Sequence, residues 1–302
     1  MKSFNSLKAL MLLILLGFIW GSGYSLARYA MTHDVPPLGY SFWQALGPAI
    51  ILTLSGLFTK NNPLWQGQHW PYFFVCGLSG IAIPNTNMYF IASHLPAGLL
   101  AVLVNTVPLL VYPLALITRQ ERFDTWRILA LLMGVAGIVM IIAPGSHGLM
   151  SGWTLLALIS PLGFALCSIY IGVKQPAELN AIQAASGMLL AASLLLTPLV
   201  IQQQAFYSLT PPFTTTKQVI ILEILLSSAG YFIFFKLIRL AGPVFYSLTG
   251  GVVALTGLFW GFVIFAEVPN DVQQLALLCV IAAIFLLSWR QSKQTREVRH
   301  VE

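Results

Sequence analysis

Charge is the scarcest property of this chain. Only 8% of its 302 residues are Asp, Glu, Lys or Arg, against about a quarter in a soluble globular domain, and 58% are hydrophobic. That balance excludes a soluble domain of useful size. Stretches of about 20 mostly apolar residues, long enough to cross a hydrocarbon core of about 30 Å, recur along nearly the whole length. Cysteine is also sparse. Cys76, Cys167 and Cys279 each fall inside an apolar run, with no C-x-x-C and no histidine at ligand spacing, so they read as buried, inert thiols and imply no metal. The five histidines, at 33, 69, 94, 147 and 300, fall in loops or the tail. No span therefore holds a base that would activate Ser22 of "GSG", and an intramembrane enzyme is disfavoured. There is no G-x-x-x-x-G-K-[ST] phosphate loop, which argues against ATP drive, and no cofactor is implied.

What remains is an all-α integral membrane protein. Apolar runs between polar or Pro/Gly breaks predict helices over 7–31, 37–58, 70–92, 96–117, 126–143, 152–172, 179–201, 216–239, 243–265 and 272–289. The net charge is +6, but the basic residues follow topology and suggest no nucleic acid. With the N-terminus in the cytoplasm, all of the 15 Lys and Arg except Arg28 and Lys217 fall in inner segments, so the positive-inside rule puts both termini there. The run from Leu7 to Met31 is longer than the apolar core of a signal peptide, about 7 to 15 residues, and is read as a span. A break near "APGSHGLMSGW" divides the chain into five helices and five helices. An odd number of crossings inverts the second half. The expected units are two inverted five-helix repeats, 1–145 and 146–302, the second ending in a short basic cytoplasmic tail. In both, the fourth helix follows a very short loop and ends at an acid, Glu121 or Glu267.

Ionisable groups facing lipid at mid-span cost about 2.5 to 3.5 kcal/mol, so those present merit weighing. Arg28 lies about 20 residues beyond Lys8, near the outer interface at about 1.5 Å per residue. It either snorkels or serves a pair or an anion. Gly17, Gly21, Tyr24 and Arg28 share one helical face, which is expected to look at protein. Glu223 is the expected partner of Arg28, on a stripe with Ser227 and Tyr231. It is otherwise an interfacial acid near Lys217, or a seat for a proton or a substrate ammonium. In "IPNTNMYF" Pro84 frees a carbonyl beside Asn85 and Tyr89, and Asn105, Pro108 and Tyr112 align on the fourth helix. Tyr246, Gly250, Gly257 and Gly261 line the ninth, with Trp260 alongside. Each polar residue also fits an ordinary interhelical hydrogen bond, and G-x-x-x-G at 17–21 and 257–261 fits tight packing.

"WGSGYSLARYA", the segment from Asn85 to Ile142 and "GPVFYSLTGGVVALTGLFWGFVIFAEVPN" resemble the EamA branch of the drug/metabolite transporter superfamily. The resemblance covers nearly the whole chain. It implies ten helices in two inverted repeats and export of amino acids or other small metabolites through a central cavity open to one side at a time. One departure is Gln44 in "YSFWQALGP", near where the family often has an Arg, so no role for that Arg carries over. A multidrug exchanger built on a first-helix glutamate is disfavoured, because this helix has no acid.

The expectation is thus a secondary transporter, an exporter of small amino-acid-like or amphipathic metabolites, in a bacterial inner membrane. Its substrate-binding residues would be Tyr24, Arg28, Asn85, Tyr89, Asn105, Tyr112, Glu223, Tyr231, Tyr246 and Trp260. Its partners are a small-molecule substrate and the lipid bilayer. Proton coupling and the choice between monomer and homodimer stay open at this stage. A non-transporting scaffold is the alternative from another class.

Overall fold

The computed structural model describes residues 2–58, 67–117, 123–142, 152–246 and 249–299. Among these every regular element is helical. That is the solution open to a chain in lipid, where each backbone N–H and C=O needs a partner within its own segment.

The helices are α1 (Lys2–Met31), α2 (Pro37–Phe58), α3 (Trp70–Gly77), α4 (Ile83–Ile91), α5 (Ala97–Val104), α6 (Val107–Ile117) and α7 (Thr125–Ile142). The second half holds α8 (Gly152–Ala157), α9 (Ile159–Lys174), α10 (Ala181–Gln202), α11 (Thr215–Tyr246), α12 (Thr249–Phe265) and α13 (Asp271–Arg299). Six segments among the described residues are long and apolar enough to cross a membrane: 7–31, 37–58, 97–117, 152–171, 182–202 and 215–234. Most predicted ends agree within a few residues. The junction expected between 239 and 243 does not: α11 runs on through Gly242 and Pro243 to Tyr246. Proline there removes one hydrogen bond, while its fixed φ suits the helix. The last helix likewise continues past 289 through the basic tail, where charge ends the apolar run without ending the helix.

Breaks fall where the sequence frees backbone groups. A π-helical turn, Leu78–Ala82, joins α3 to α4 just before Pro84, and Asn105–Thr106 separates α5 from α6 just before Pro108. Every residue of α5 is buried, as expected of a helix apolar all round, and it lies at the centre of the largest core cluster. Around it α1 packs on α11 and α12, α2 on α10 and α11, α3 on α10, α4 and α6 on α9, α5 on α12, and α7 on α13. Small residues permit the closest approaches. A Cβ on Gly21 would fall 2.2 Å from Thr256 Oγ1, and one on Gly257 would fall 2.2 Å from Ala101 Cβ, so both G-x-x-x-G motifs serve helix contact. Outward faces are apolar: Leu129, Leu132, Val135 and Val139 on α7 are all exposed. A soluble protein does not display such a belt, and the molecule is an integral membrane protein.

Candidate functional site

Arg28 sits in the last turn of α1. Its Nη1 donates to Oε1 of Glu267, just beyond α12, and its guanidinium lies 4.9 Å from the ring centre of Phe265. Glu267 also accepts from the N–H of Ala97 at 2.9 Å and of Gly98 at 3.0 Å. The first N–H groups of a helix have no partner within it, and Pro96 at the N-cap of α5 makes no side-chain cap. Glu267 supplies that cap from another helix and meets the positive end of the α5 dipole.

The expected Arg28–Glu223 pair is therefore not formed. The face of α1 is the reason: Glu223 packs against Gly23, where an added Cβ would fall 2.8 Å from Oε1, and Arg28, five residues on, points from another side of the helix. The face of Gly17, Gly21, Tyr24 and Arg28 does look at protein. Gly17 and Gly21 meet Val252 and Thr256, and Thr256 Oγ1 donates to the Gly17 carbonyl at 2.6 Å.

Glu223 heads a second polar group, deeper in the helices. Its side chain is buried, 8% exposed. Ser227 Oγ donates to Glu223 Oε1 at 3.2 Å and lies 3.4 Å from the side-chain amide of Gln44. Tyr40, one turn from Gln44 on α2, meets Tyr89 of α4 edge to face at 4.7 Å. Tyr40 and Tyr89 are buried, and Tyr231 lies two turns after Glu223 on the same stripe of α11. Tyr231 also meets the edge of Trp20 at 6.2 Å. Beside them Asn105 Nδ2 donates to Tyr24 Oη at 3.0 Å, while Asn85 is half-buried on α4, one turn before Tyr89. Four buried polar atoms of α1, α2 and α11 have no hydrogen-bond partner: Ser25 Oγ, Tyr40 Oη, Gln44 Nε2 and Glu223 Oε2. Buried polar groups are normally satisfied. Those on Gln44 and Glu223 lie on the two side chains beside Ser227.

The remaining expected residues stand elsewhere. Tyr112 Oη accepts from the Asp124 N–H at 2.9 Å, and the Arg127 guanidinium lies 5.0 Å from its ring centre, so Tyr112 ties α6 to the start of α7. Trp260 donates to the Phe18 carbonyl at 3.1 Å and packs edge-on against Phe18 and Phe259, both exposed, in an aromatic cluster at the outer surface of the bundle. The side chains of Tyr246 and Glu121 lie outside the described residues. Tyr40 and Gln44 stand beside this group although neither was among the expected residues. The spacing of Tyr40 and Gln44 in "GYSFWQ" puts both on one helical face, a signal that was legible. Among the described residues no group of three or more His, Cys, Asp or Glu is placed to hold a metal.

A membrane helical bundle with a buried, incompletely satisfied polar centre defines a class of protein. Residues 7–143 match the EamA-like transporter family, to which the chain is similar over that half. It is 27% identical to the uncharacterized transporter YvbV of Bacillus subtilis over 172 residues, 57% of this chain and 56% of that one. It is 31% identical to the uncharacterized inner membrane transporter YedA of Escherichia coli K12 over 185 residues, 59% of this chain and 58% of that one. These two matches span little more than half of the relatives' lengths. Protein PecM of Dickeya dadantii is 22% identical over 275 residues, 89% of this chain and 88% of that one. A protein of known crystal structure shares the fold, with TM-score 0.63 and 16% identity across 94% of this chain and 98% of that one.

Proposed function

We propose that this chain is a secondary transporter that exports small metabolites by alternating access. It crosses the membrane ten times as two inverted five-helix halves, 1–145 and 146–302. The helix packing supports the inversion. Taking α3 with α4, α5 with α6 and α8 with α9 as single spans, three contacts between the halves have counterparts five spans on. The third span packs on the sixth as the eighth does on the first, the third on the seventh as the eighth on the second, and the fourth on the sixth as the ninth on the first. The family match over 7–143 supports the extent of the first half.

The observation that carries transport is the Glu223 group, buried where α1, α2, α4 and α11 come together. A carboxylate with a free oxygen in a bilayer is costly to keep, and a seat at the meeting of two halves is where inverted-repeat transporters bind substrate. Proton coupling through Glu223 belongs to the same reading. The sites are Tyr24, Asn85, Tyr89, Asn105, Glu223 and Tyr231, joined by Tyr40 and Gln44; Arg28 becomes a positioning residue. The test is uptake of labelled metabolite pools into inside-out vesicles or proteoliposomes, with Glu223→Gln beside the natural chain. Transport lost in the variant at normal insertion supports the proposal. No flux for any pool would favour a scaffold instead.

A further inference from the structure

The fourth span breaks at Asn105 and Thr106, and the break gathers oxygens that lack a donor. Pro108 has no N–H to give the carbonyl of the buried Val104 one turn back. The Leu109 N–H turns to the Thr106 carbonyl at 2.8 Å, so the Asn105 carbonyl loses its backbone donor as well. The Asn105 side chain adds a further oxygen. Its Nδ2 donates to the Ala101 carbonyl at 2.8 Å and to Tyr24 Oη at 3.0 Å, and these are its only side-chain hydrogen bonds among the described residues. A carbonyl can only accept, so the amide cannot be reversed, and Oδ1 is left without a donor. A Cβ on Gly250 of α12 would fall 3.9 Å from Asn105 Oδ1 and 3.9 Å from the Asn105 carbonyl oxygen, with nothing nearer. Both oxygens thus border one open space. Thr249, the residue before Gly250, is 2% exposed, and its Oγ1 has no hydrogen-bond partner.

Buried acceptors are normally satisfied, and acceptors without donors call for positive charge. These oxygens include no carboxylate, so a divalent ion would lack the ligands it usually takes. Neutral oxygens at the C-terminal, negative end of α5 suit a single positive charge. Unwound backbone at membrane depth is tolerated where it lines a cavity, and its carbonyls can hold sodium. From this juxtaposition we propose a sodium site at the break in the fourth span, formed by the carbonyl and Oδ1 of Asn105, with the Val104 carbonyl and Thr249 Oγ1 beside them. It goes beyond the Glu223 group, and Asn105 holds the ion and not the solute. Asn105 belongs to the first half, Thr249 and Gly250 to the second, so an ion here joins two halves that move against each other. Only that coupling rests on the transport reading.

The experiment follows the melting temperature of the full chain in detergent as sodium chloride replaces choline chloride at constant ionic strength, so that screening does not change. Sodium is expected to raise it saturably, because a ligand of the folded state stabilises by mass action, and potassium should raise it less. Thr249→Val removes a hydroxyl that has no protein partner. The variant should melt in choline no lower than the natural chain and bind sodium about tenfold more weakly, the worth of one polar contact to a charge. Gly250→Ala leaves every oxygen in place and puts a methyl group into the space they border, so it should fold normally and lose the sodium response. A merely structural role for these residues would move the melting temperature in choline and leave the sodium affinity alone. A melting temperature indifferent to sodium, an equal response to potassium, or both variants keeping the natural affinity overturns the proposal. A sodium response without metabolite flux in proteoliposomes upholds this site and overturns transport. Metabolite flux with no sodium response overturns the sodium site and leaves transport standing.

Discussion

Arg28 and Glu267 form an ion pair that also closes the open end of α5, because the same carboxylate accepts from the N–H groups of Ala97 and Gly98. Three segments distant in sequence thereby meet at one carboxylate. The side chains are 24% and 15% exposed, so the pair is only partly screened. Truncating Glu267 to Ala leaves a guanidinium and two helix N–H groups without their acceptor. The expected cost is about 2 to 3 kcal/mol, read as a lower melting temperature of the detergent-solubilised protein. Arg28→Ala should cost less, since the cap survives. In the double variant the two losses should fall short of additivity by about 1 kcal/mol or more. Additive losses, or coupling of Arg28 to Glu223 in their place, would refute the pairing.

Helix packing gives a prediction that discriminates among glycines. A Cβ on Gly257 would fall 2.2 Å from Ala101 Cβ, whereas one on Gly250 meets nothing nearer than 3.9 Å. Overpacking a close helix contact costs about 1 to 3 kcal/mol. Gly257→Ala should therefore lower thermal stability clearly. Gly250→Ala should hold or raise it, since alanine favours the helix. Equal effects of the two substitutions in detergent melting curves would contradict the α5–α12 packing described here.

The bundle was largely legible in the sequence, and the ion pair was not. Apolar length alone locates most helices, because a span must satisfy its own backbone in lipid. Pairing depends on how helices are laid side by side, and depth along a helix is a poor guide to it. Glu223 and Arg28 both belong to the outer part of their helices, yet Gly23 and not Arg28 faces Glu223. A signal for Glu267 was present in "HLPAG": a helix opening at Pro96, Ala97 and Gly98 has no side-chain acceptor of its own for its first N–H groups, so an outside carboxylate was called for. The junction after α11 was unreadable for a different reason, since a Gly-Pro pair that usually stops a helix is carried inside one.

At the end of the bundle bearing the α9–α10 turn, His69 and Glu178 tie two loops. His69 Nε2 lies 2.8 Å from Glu178 Oε1, with His69 buried and the Glu178 side chain 57% exposed. The hydrogen bond from His69 holds the Glu178 carboxyl below its ordinary range. A carboxyl depressed on folding adds stability that is fully present above its unfolded pKa of about 4.3. That stability disappears as the pH falls through the folded value. The melting temperature of the natural chain should therefore exceed that of Glu178→Gln at pH 7, and the two curves should converge on acidification below about pH 4. Curves that stay parallel down to pH 3 would remove this role from the pair.

Topology decides whether two inverted halves exist at all. If the chain crosses ten times with its N-terminus inside, Ser93 in the short loop after α4 is extracytoplasmic, and Ser292 near the end of α13 is cytoplasmic, as the basic tail requires. Single cysteines at these positions, placed in a chain whose Cys76, Cys167 and Cys279 have been replaced, should react differently with a membrane-impermeant maleimide. Ser93→Cys should label in intact cells, and Ser292→Cys only after permeabilisation. Labelling of Ser292→Cys from outside would mean an odd number of crossings. The correspondence of the third span with the eighth and the fourth with the ninth would then fail, and with it the placing of Glu223 at the meeting of two inverted halves.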